Sequence, residues 1–421
     1  MPVIIVGAGI GGLVTALRLH HKGIGCEIYE QSEQIGELGV GINALPNAVK
    51  ELAELGLLER LETAGIATRE LVYTHRRGQE IMRRACGRDA GFAYPQISLH
   101  RGRLQGVLLR AVLERLGPGA VRTGHRLTGF DEDAAGVRAH FADRDGGALP
   151  SARGDVLVGA DGIHSTVRSV LFPGEGPPRW NGIMMARGAT EWPEFGTGGT
   201  MVIAGGTEAK LVVYPIAPGR RPGTRLTNWA ICRRTGRPGD PPPQRQDWSR
   251  RADPAGLTEP VARFRLPILD HAALIGASAE CFEFPMCDRD PLPYWTRGRV
   301  TLLGDAAHPM YPMGSNGAGQ AILDATSLSD HLASRTDPAG ALLAYQNERL
   351  PVTGEVVLRN RDGGPENVID EVERRAPDGF TRIEDVIDRA EMEAIVNGYA
   401  RLSGAAKDQV NRVGAPTTEY R

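Results

Sequence analysis

The first dozen residues constrain this chain more than any other stretch. Pro2 to Val6 is a short apolar run, Gly7-Ala8-Gly9-Ile10-Gly11-Gly12 follows at once, and Gly11 to Lys22 carries Leu13, Ala16 and Leu17 at helical spacing. A strand running straight into G-x-G-x-x-G and then a helix predicts a dinucleotide-binding βαβ unit. Gly7 permits the tight turn, Gly9 lets the backbone approach a pyrophosphate, and Gly12 lets helix and strand pack closely. The helix N-terminus, at Ile10 and Gly11, offers unpaired N–H groups and a positive dipole end to the phosphates. Glu30 stands eighteen residues past Gly12, at the end of the apolar run Cys26-Glu27-Ile28-Tyr29. A carboxylate there can accept hydrogen bonds from an adenosine ribose. The fingerprint alone leaves FAD and NAD(P) both open.

At 421 residues the chain exceeds what one hydrophobic core usually organises. A net charge of −2 gives no electrostatic reason to expect nucleic acid or an anionic membrane as partner. The five cysteines, Cys26, Cys86, Cys232, Cys281 and Cys287, form no C-x-x-C pair and no zinc-like cluster. Reduced thiols, no disulfide framework and no metal centre are expected. The first strand leaves no room for a signal peptide, and no apolar run is long enough to span a bilayer, which together point to the cytoplasm.

Further along, Ile35 to Asn43 is a Gly-rich loop, and Pro46 to Leu61 has the spacing of one helix. Residues 66–82 predict two strands around the turn Arg76-Arg77-Gly78. His100 to Leu116 predicts a helix with Leu104, Val107, Leu108, Ala111 and Val112 inward. Short strands are expected near 121–130 and 136–142, with a buried one over 151–160. Residues 180–285 change character: strand-like pieces are separated by Gly/Pro/Arg-rich loops, of which Thr235–Arg251 reads as a solvated surface loop. Arg299 to Leu303 restores a buried strand, Ala318 to Leu332 and 338–350 are helical, and amphipathic patterns follow near Glu366–Arg375 and Ile383–Ala400.

The expected fold is α/β: a Rossmann-type lobe from residues 1–70, 98–178 and 286–350, an inserted and mostly antiparallel β-sheet lobe from 71–97 and 179–285, and a helical tail over 351–421. Whether the tail packs on the lobes or makes a dimer contact is open, as is the choice between monomer and homodimer.

Two further motifs bear on the cofactor. One is Gly159-Ala160-Asp161-Gly162-Ile163-His164-Ser165-Thr166-Val167-Arg168; the other is Gly304-Asp305-Ala306-Ala307-His308-Pro309, continuing Met310-Tyr311-Pro312-Met313-Gly314. With the N-terminal fingerprint, in this order and separation, they resemble the triple signature of the single-component FAD-dependent aromatic hydroxylases, the para-hydroxybenzoate hydroxylase-like family. Leu38-Gly39-Val40-Gly41-Ile42-Asn43 and Ala93-Tyr94-Pro95-Gln96 add a likeness to its phenazine hydroxylase and salicylate hydroxylase branch.

That resemblance implies tightly bound FAD, with NAD(P)H and O2 as co-substrates and a flavin C4a-hydroperoxide as the attacking species. It implies that Asp305, after Gly304, bonds a ribityl hydroxyl, and that Asp161-Gly162 contacts the pyrophosphate region. Arg101 would reach the FAD phosphates, Val40 and Gly41 would lie along the flavin ring, and Leu127 would lie near the adenine. The segment after Pro312 is expected to open a helix, so that Gly314, Ser315, Asn316 and Gly317 present amides to the N1–C2=O edge of the flavin and stabilise its reduced, anionic form. Ser165 and Arg168 fit structural roles as well as functional ones, and His308 reads as structural.

Candidates for the substrate wall are Met184, Met185, Arg187 and Met201, with Tyr214, Pro312 and Met313. For the methionines an ordinary core role is at least as apt. Tyr214 matches a pocket tyrosine of related hydroxylases. Some relatives place a histidine just before it, whereas Lys210-Leu211-Val212-Val213 has none, which puts side-chain base catalysis in doubt. No second strand–GxGxxG–helix unit is present, so the nicotinamide is expected to dock transiently. The substrate implied is a small planar aromatic, with an aromatic carboxylate and its oxidative decarboxylation among the options; Arg187 is the first candidate for a carboxylate partner. Two alternatives stay open: another flavin oxygenation, such as epoxidation or Baeyer–Villiger insertion, and a non-catalytic binding protein like the GDP-dissociation inhibitors.

Overall fold

Val3–Val6 is apolar throughout because it lies in the middle of a parallel sheet covered on both faces. The sheet's strand order is Val300–Leu302, Val156–Gly159, Val3–Val6, Cys26–Tyr29, Val121–Arg122, and every pair is parallel. The computed structural model describes residues 2–36, 40–247 and 250–412. Helix Ile10–His21 packs on this sheet between Arg101–Leu116 and Gly317–Ser334. Pro2–Val6, the Gly11–Lys22 periodicity and the His100–Leu116 pattern therefore became the elements their spacing predicted.

Three antiparallel strands, Arg126–Asp133, Gly136–Ala142 and Ala148–Gly154, form a small second sheet. Here the expected single strand over 151–160 is corrected. Residues up to Gly154 pair antiparallel with Gly136–Ala142, and Val156–Gly159 enters the parallel sheet. Pro46–Leu61 is likewise not one helix: Pro46–Glu54 and Leu58–Ala64 are separated at Gly56, whose φ of 70° is a left-handed value that ends a helix. The Gly-rich loop is shorter than expected, since Gly41–Ala44 is a strand paired with Gln96–His100. Leu38 and Gly39 lie outside the described residues.

The third sheet has eight strands, in the order Arg251–Ala252, Cys281–Asp288, Arg179–Pro193, Thr224–Arg234, Ala209–Pro218, Thr200–Ala204, Glu70–Thr74, Glu80–Ala85. All its pairs are antiparallel except Thr200–Ala204 with Glu70–Thr74. The hairpin around Gly78 formed as expected.

After the sheets come helices Gly317–Ser334 and Pro338–Arg361, the second carrying Pro351 inside it and running eleven residues past the expected end. The described tail packs on the body. Val368, Ile369 and Val372 of helix Asn367–Arg375 and Met392 and Val396 of helix Arg389–Leu402 cluster with Tyr73, Met201, Ile203 and Tyr214 of the large sheet. No helix among the described residues is long and apolar enough to cross a membrane, and no group of side chains there could hold a metal ion.

Candidate active site

Register decides which side chains of the eight-stranded sheet meet the nucleotide lobe, because side chains alternate faces along a strand. Met185 pairs with Cys232 and Cys232 with Lys210; Arg187 pairs with Ala230, and Ala230 with Val212; Asn228 pairs with Tyr214. All of these face one cavity of about 310 Å³, within the usual range for small-molecule sites. Met184, one residue from Met185, points to the other face and packs with Ile163, Trp180 and Cys287, so it is removed from the substrate wall.

The nucleotide lobe supplies the opposite wall, including Gly9, Ile10, Gly11, Gly162, Gly304 and Asp305. The four fingerprint glycines divide by role. A Cβ on Gly7 would stand 2.4 Å from the Ala160 carbonyl oxygen, and one on Gly12 would stand 2.0 Å from that of Gly7. On Gly11 it would press on Leu303 at 2.7 Å. These three keep helix, strand and sheet together. A Cβ on Gly9 would meet no protein atom within 4 Å, although its backbone is extended and open to any residue. Gly162, with φ 77°, is equally clear. The protein thus leaves a cradle at Gly9 and Gly162, beside the N-terminus of helix Ile10–His21, that a pyrophosphate fits.

Glu30 holds that loop: its carboxylate accepts from the amides of Ala8 and Ser32, both at 2.8 Å. Asp161 has its carboxylate turned to the helix Thr166–Leu171, accepting from Thr166 N–H at 2.7 Å and Val167 N–H at 3.2 Å, so the cavity-facing group of the pair is Gly162. Ser165 caps the same helix through Arg168 N–H. Arg168 is buried, ion-pairs with Glu175 and donates to the carbonyls of Ala306 and Ala307, which makes it a staple between the second and third motifs. Leu127 is buried in the core of the nucleotide lobe and lies across from Phe141.

Arg101 opens its helix with its amide on the Val40 carbonyl, at 2.8 Å. Val40 itself is buried. The Arg101 guanidinium faces the cavity and has no hydrogen-bond partner among the described residues. Burial lowers its pKa, opposed by Asp305. Asp305 is open to the cavity yet flanked by protein mass, which raises its pKa against the charges of His308 and Arg101. An arginine and an aspartate left free on one wall suit the phosphates and a polyol of a flavin nucleotide. His308 bonds buried Asp324 at 2.6 Å and is structural.

After Pro312, which lines the cavity, the helix does not open at once. Met313–Ser315 is a single tight turn with Gly314 at φ 65° and Ser315 at φ 56°, and the helix begins at Gly317. Gly314 and Asn316 border a second cavity of about 140 Å³ instead; Ser315 borders both, and Gly317 the first. Asn316 donates to the Gly314 carbonyl at 3.0 Å and to Tyr399 Oη at 3.1 Å.

On the substrate side Gly41 is clamped, its amide donating to Asn228 Oδ1 and its carbonyl accepting from Arg187 Nη2, both at 2.8 Å. Arg187 Nε is buried without a partner, and burial pulls the pKa down to about 10. Burial also pushes the Tyr214 phenol up to about 12, against the charge of Arg187, so it holds its proton. The wall also holds residues absent from the sequence-based site: Val212, Asn228, Ala230 and Cys232, and the buried ion pair of Lys210 and Glu366. Lys210 was noted only as part of a stretch without histidine, and Glu366 lies 156 positions away in the tail.

A cradle for a dinucleotide's phosphates and a largely apolar sheet wall share one cavity, which is the arrangement of a flavoprotein monooxygenase. The comparisons say so independently. The chain belongs to the FAD-binding-domain family, whose model matches residues 1–360. Phenazine 1,6-dicarboxylic acid hydroxylase PhzS of Lysobacter antibioticus is 44% identical over 370 residues, covering 86% of this chain and 89% of that one. 3-Hydroxybenzoate 6-hydroxylase 1 of Aquipseudomonas alcaligenes is 32% identical over 366 residues, 85% and 87% of the two chains. The structure of Klebsiella pneumoniae HpxO complexed with FAD and uric acid superposes with a TM-score of 0.76 at 27% identity, covering 96% of this chain and 97% of that one. The protein is an FAD-dependent aromatic monooxygenase that uses NAD(P)H and O2, and the reading as a non-catalytic binding protein falls away.

Proposed function

We propose that the substrate is a planar, fused-ring aromatic carboxylate of the phenazine carboxylate class, held by Arg187 and hydroxylated with oxidative decarboxylation where the attacked carbon bears the carboxyl group. The observation that carries this reading is the Arg187 guanidinium: a cation on the cavity wall with no carboxylate among its described neighbours. Such a group invites an anion, and a bidentate arginine–carboxylate pair also fixes orientation. Ala230 and Val212 beside it leave a flat, apolar floor on which a fused ring can lie. The relative at 44% identity acts, by its name, on a phenazine dicarboxylic acid.

FAD, when bound, supplies the activation of O2 and the transfer of one oxygen atom to the ring. The chain's residues do the rest. Gly9 and Gly162 with Arg101 hold the phosphates, Asp305 a ribityl hydroxyl, and Gly41 with the turn at Pro312–Ser315 flank the flavin ring. Tyr214 donates a hydrogen bond to the substrate, and the sheet keeps water from the reacting atoms. The nicotinamide docks transiently, and the five cysteines, all unpaired, support a reducing compartment such as the cytoplasm.

The test is to supply flavin-bound protein with NADH or NADPH and phenazine-1-carboxylate, and to follow nucleotide oxidation and product mass. Stimulated oxidation, with a product that gains one oxygen or exchanges carboxyl for hydroxyl, is expected. Stimulation by single-ring benzoates alone would overturn the assignment.

A further inference from the structure

The Lys210–Glu366 pair lies on the wall of the same cavity as Arg187, and nothing in the cofactor chemistry requires it. Glu366 comes from the turn Gly364–Glu366, its Oε1 accepting from Gly314 N–H at 3.1 Å and its Oε2 from Lys210 Nζ. Lys210 Nζ also lies 3.0 Å from Met313 Sδ. An ammonium has three donors. Glu366 and the weakly accepting Met313 engage two, and the third is left for the cavity both residues line. The register gives the position of this donor relative to Arg187. Arg187 pairs with Ala230 and Lys210 with Cys232, on opposite sides of strand Thr224–Arg234 and two residues apart along it. Two strand spacings across and two residues along put their Cα atoms about 12 Å apart on the diagonal of a flat floor. That is the geometry for a fused-ring system with an acidic group at each end.

We propose that Lys210 is a specificity-determining anchor for a second carboxylate, so that the cavity selects an aromatic dicarboxylate with one arm on Arg187 and the other on Lys210. The inference rests on the phenazine carboxylate reading above. Glu366 has two effects: it aims and charges Lys210, and it attenuates the anchor. A carboxylate at hydrogen-bond distance from Nζ stands closer to the lysine than to Glu366, so attraction outweighs repulsion. Burial alone would drive Lys210 neutral, so the charge that Glu366 maintains outweighs the repulsion it adds, which sets the direction expected for each variant.

The experiment is calorimetric titration of oxidised, flavin-bound enzyme with phenazine-1-carboxylate and phenazine-1,6-dicarboxylate at neutral pH, with no nicotinamide present. Wild type is expected to bind the dicarboxylate about tenfold tighter, a difference of about 1.4 kcal/mol. Lys210→Met should abolish that preference while changing the monocarboxylate Kd less than about threefold. Glu366→Gln keeps an acceptor for Gly314 N–H but removes the charge that holds Lys210 protonated against burial, and should narrow the preference. Failure of wild type to bind either probe would overturn the proposed substrate class and this inference with it. Binding of both without preference would overturn the inference alone, as would an unchanged preference in Lys210→Met or an undiminished one in Glu366→Gln. Where Lys210→Met yields no flavin-bound protein, the wild-type ratio and Glu366→Gln decide the matter.

Discussion

Gly9 and Gly12 belong to one motif but are required for different reasons. The Gly12 position is closed by backbone 2.0 Å from where a Cβ would sit, whereas the Gly9 position is open and has ordinary extended torsions. Gly9→Ala should therefore leave the melting of the apoprotein unchanged and weaken FAD binding at least tenfold, measured by flavin fluorescence titration. Gly12→Ala should destabilise the apoprotein itself by about 1–3 kcal/mol in denaturant melts, the ordinary effect of overpacking. Tyr214 gives a second prediction at this scale. Because burial raises its pKa to about 12, the phenol is protonated across neutral and mildly alkaline pH and is available as a donor rather than as a base. Tyr214→Phe should lower kcat/KM by about tenfold without altering the shape of its pH profile there; a lost ionisation would identify Tyr214 as a base.

Among the elements, helix Gly317–Ser334 ties the cofactor loop to the rest of the lobe through one side chain. Asp324, fully buried, accepts from Gly304 N–H at 3.1 Å, from His308 at 2.6 Å and from Arg349 Nε at 2.8 Å. Burial acts to raise its pKa, but the charges and hydrogen bonds of His308 and Arg349 outweigh this and hold it below the ordinary carboxylate value. A depressed folded-state pKa means that the stabilisation is full above the unfolded value and is lost as pH falls through the folded one. Asp324→Asn should cost about 3–5 kcal/mol at neutral pH, since it leaves Arg349 buried and uncompensated. The gap from wild type should close in strong acid, as urea melts at a series of pH values would read.

The elements also show where sequence was legible. The fingerprint turn, Arg101 at a helix start and Gly304-Asp305 after a strand announced themselves because each motif is local, and the fold brings all of them to one cavity. Tyr214 was legible through the family resemblance, whereas Met185 and Arg187 could not be told from Met184 until the strand register separated the two faces. Breaks were harder: Gly56 and Asp155 interrupt patterns whose apolar spacing runs on past them, and the turn at Gly314-Ser315 delays a helix that the third motif, though not the periodicity from Ala318, would begin after Pro312. Lys210 and Glu366 were not legible as a pair, because only the folded chain brings the tail to that strand.

The whole molecule is one sheet-floored chamber with a wall from the nucleotide lobe and a back closed by the tail. Tyr399 Oη shows the closure, donating to Asn360 Oδ1 at 2.6 Å and accepting from Asn316 beside the cofactor turn. A chain ended at Asp362 would uncover the apolar cluster around Tyr73, Ile81, Met201 and Ile216, and would leave Lys210 buried without its counter-charge. Such a truncation should be recovered as aggregate, or as protein lacking a cooperative melt by calorimetry, rather than as a smaller enzyme with broader substrate range.

The family match stops at residue 360, six positions before the carboxylate that compensates Lys210. One charged group on the cavity wall thus comes from outside the stretch that the family model matches. Grafting the carboxy-terminal segment from one such enzyme onto another would alter the charge of the chamber wall and the hold on the turn at Gly314 and Asn316 in a single step.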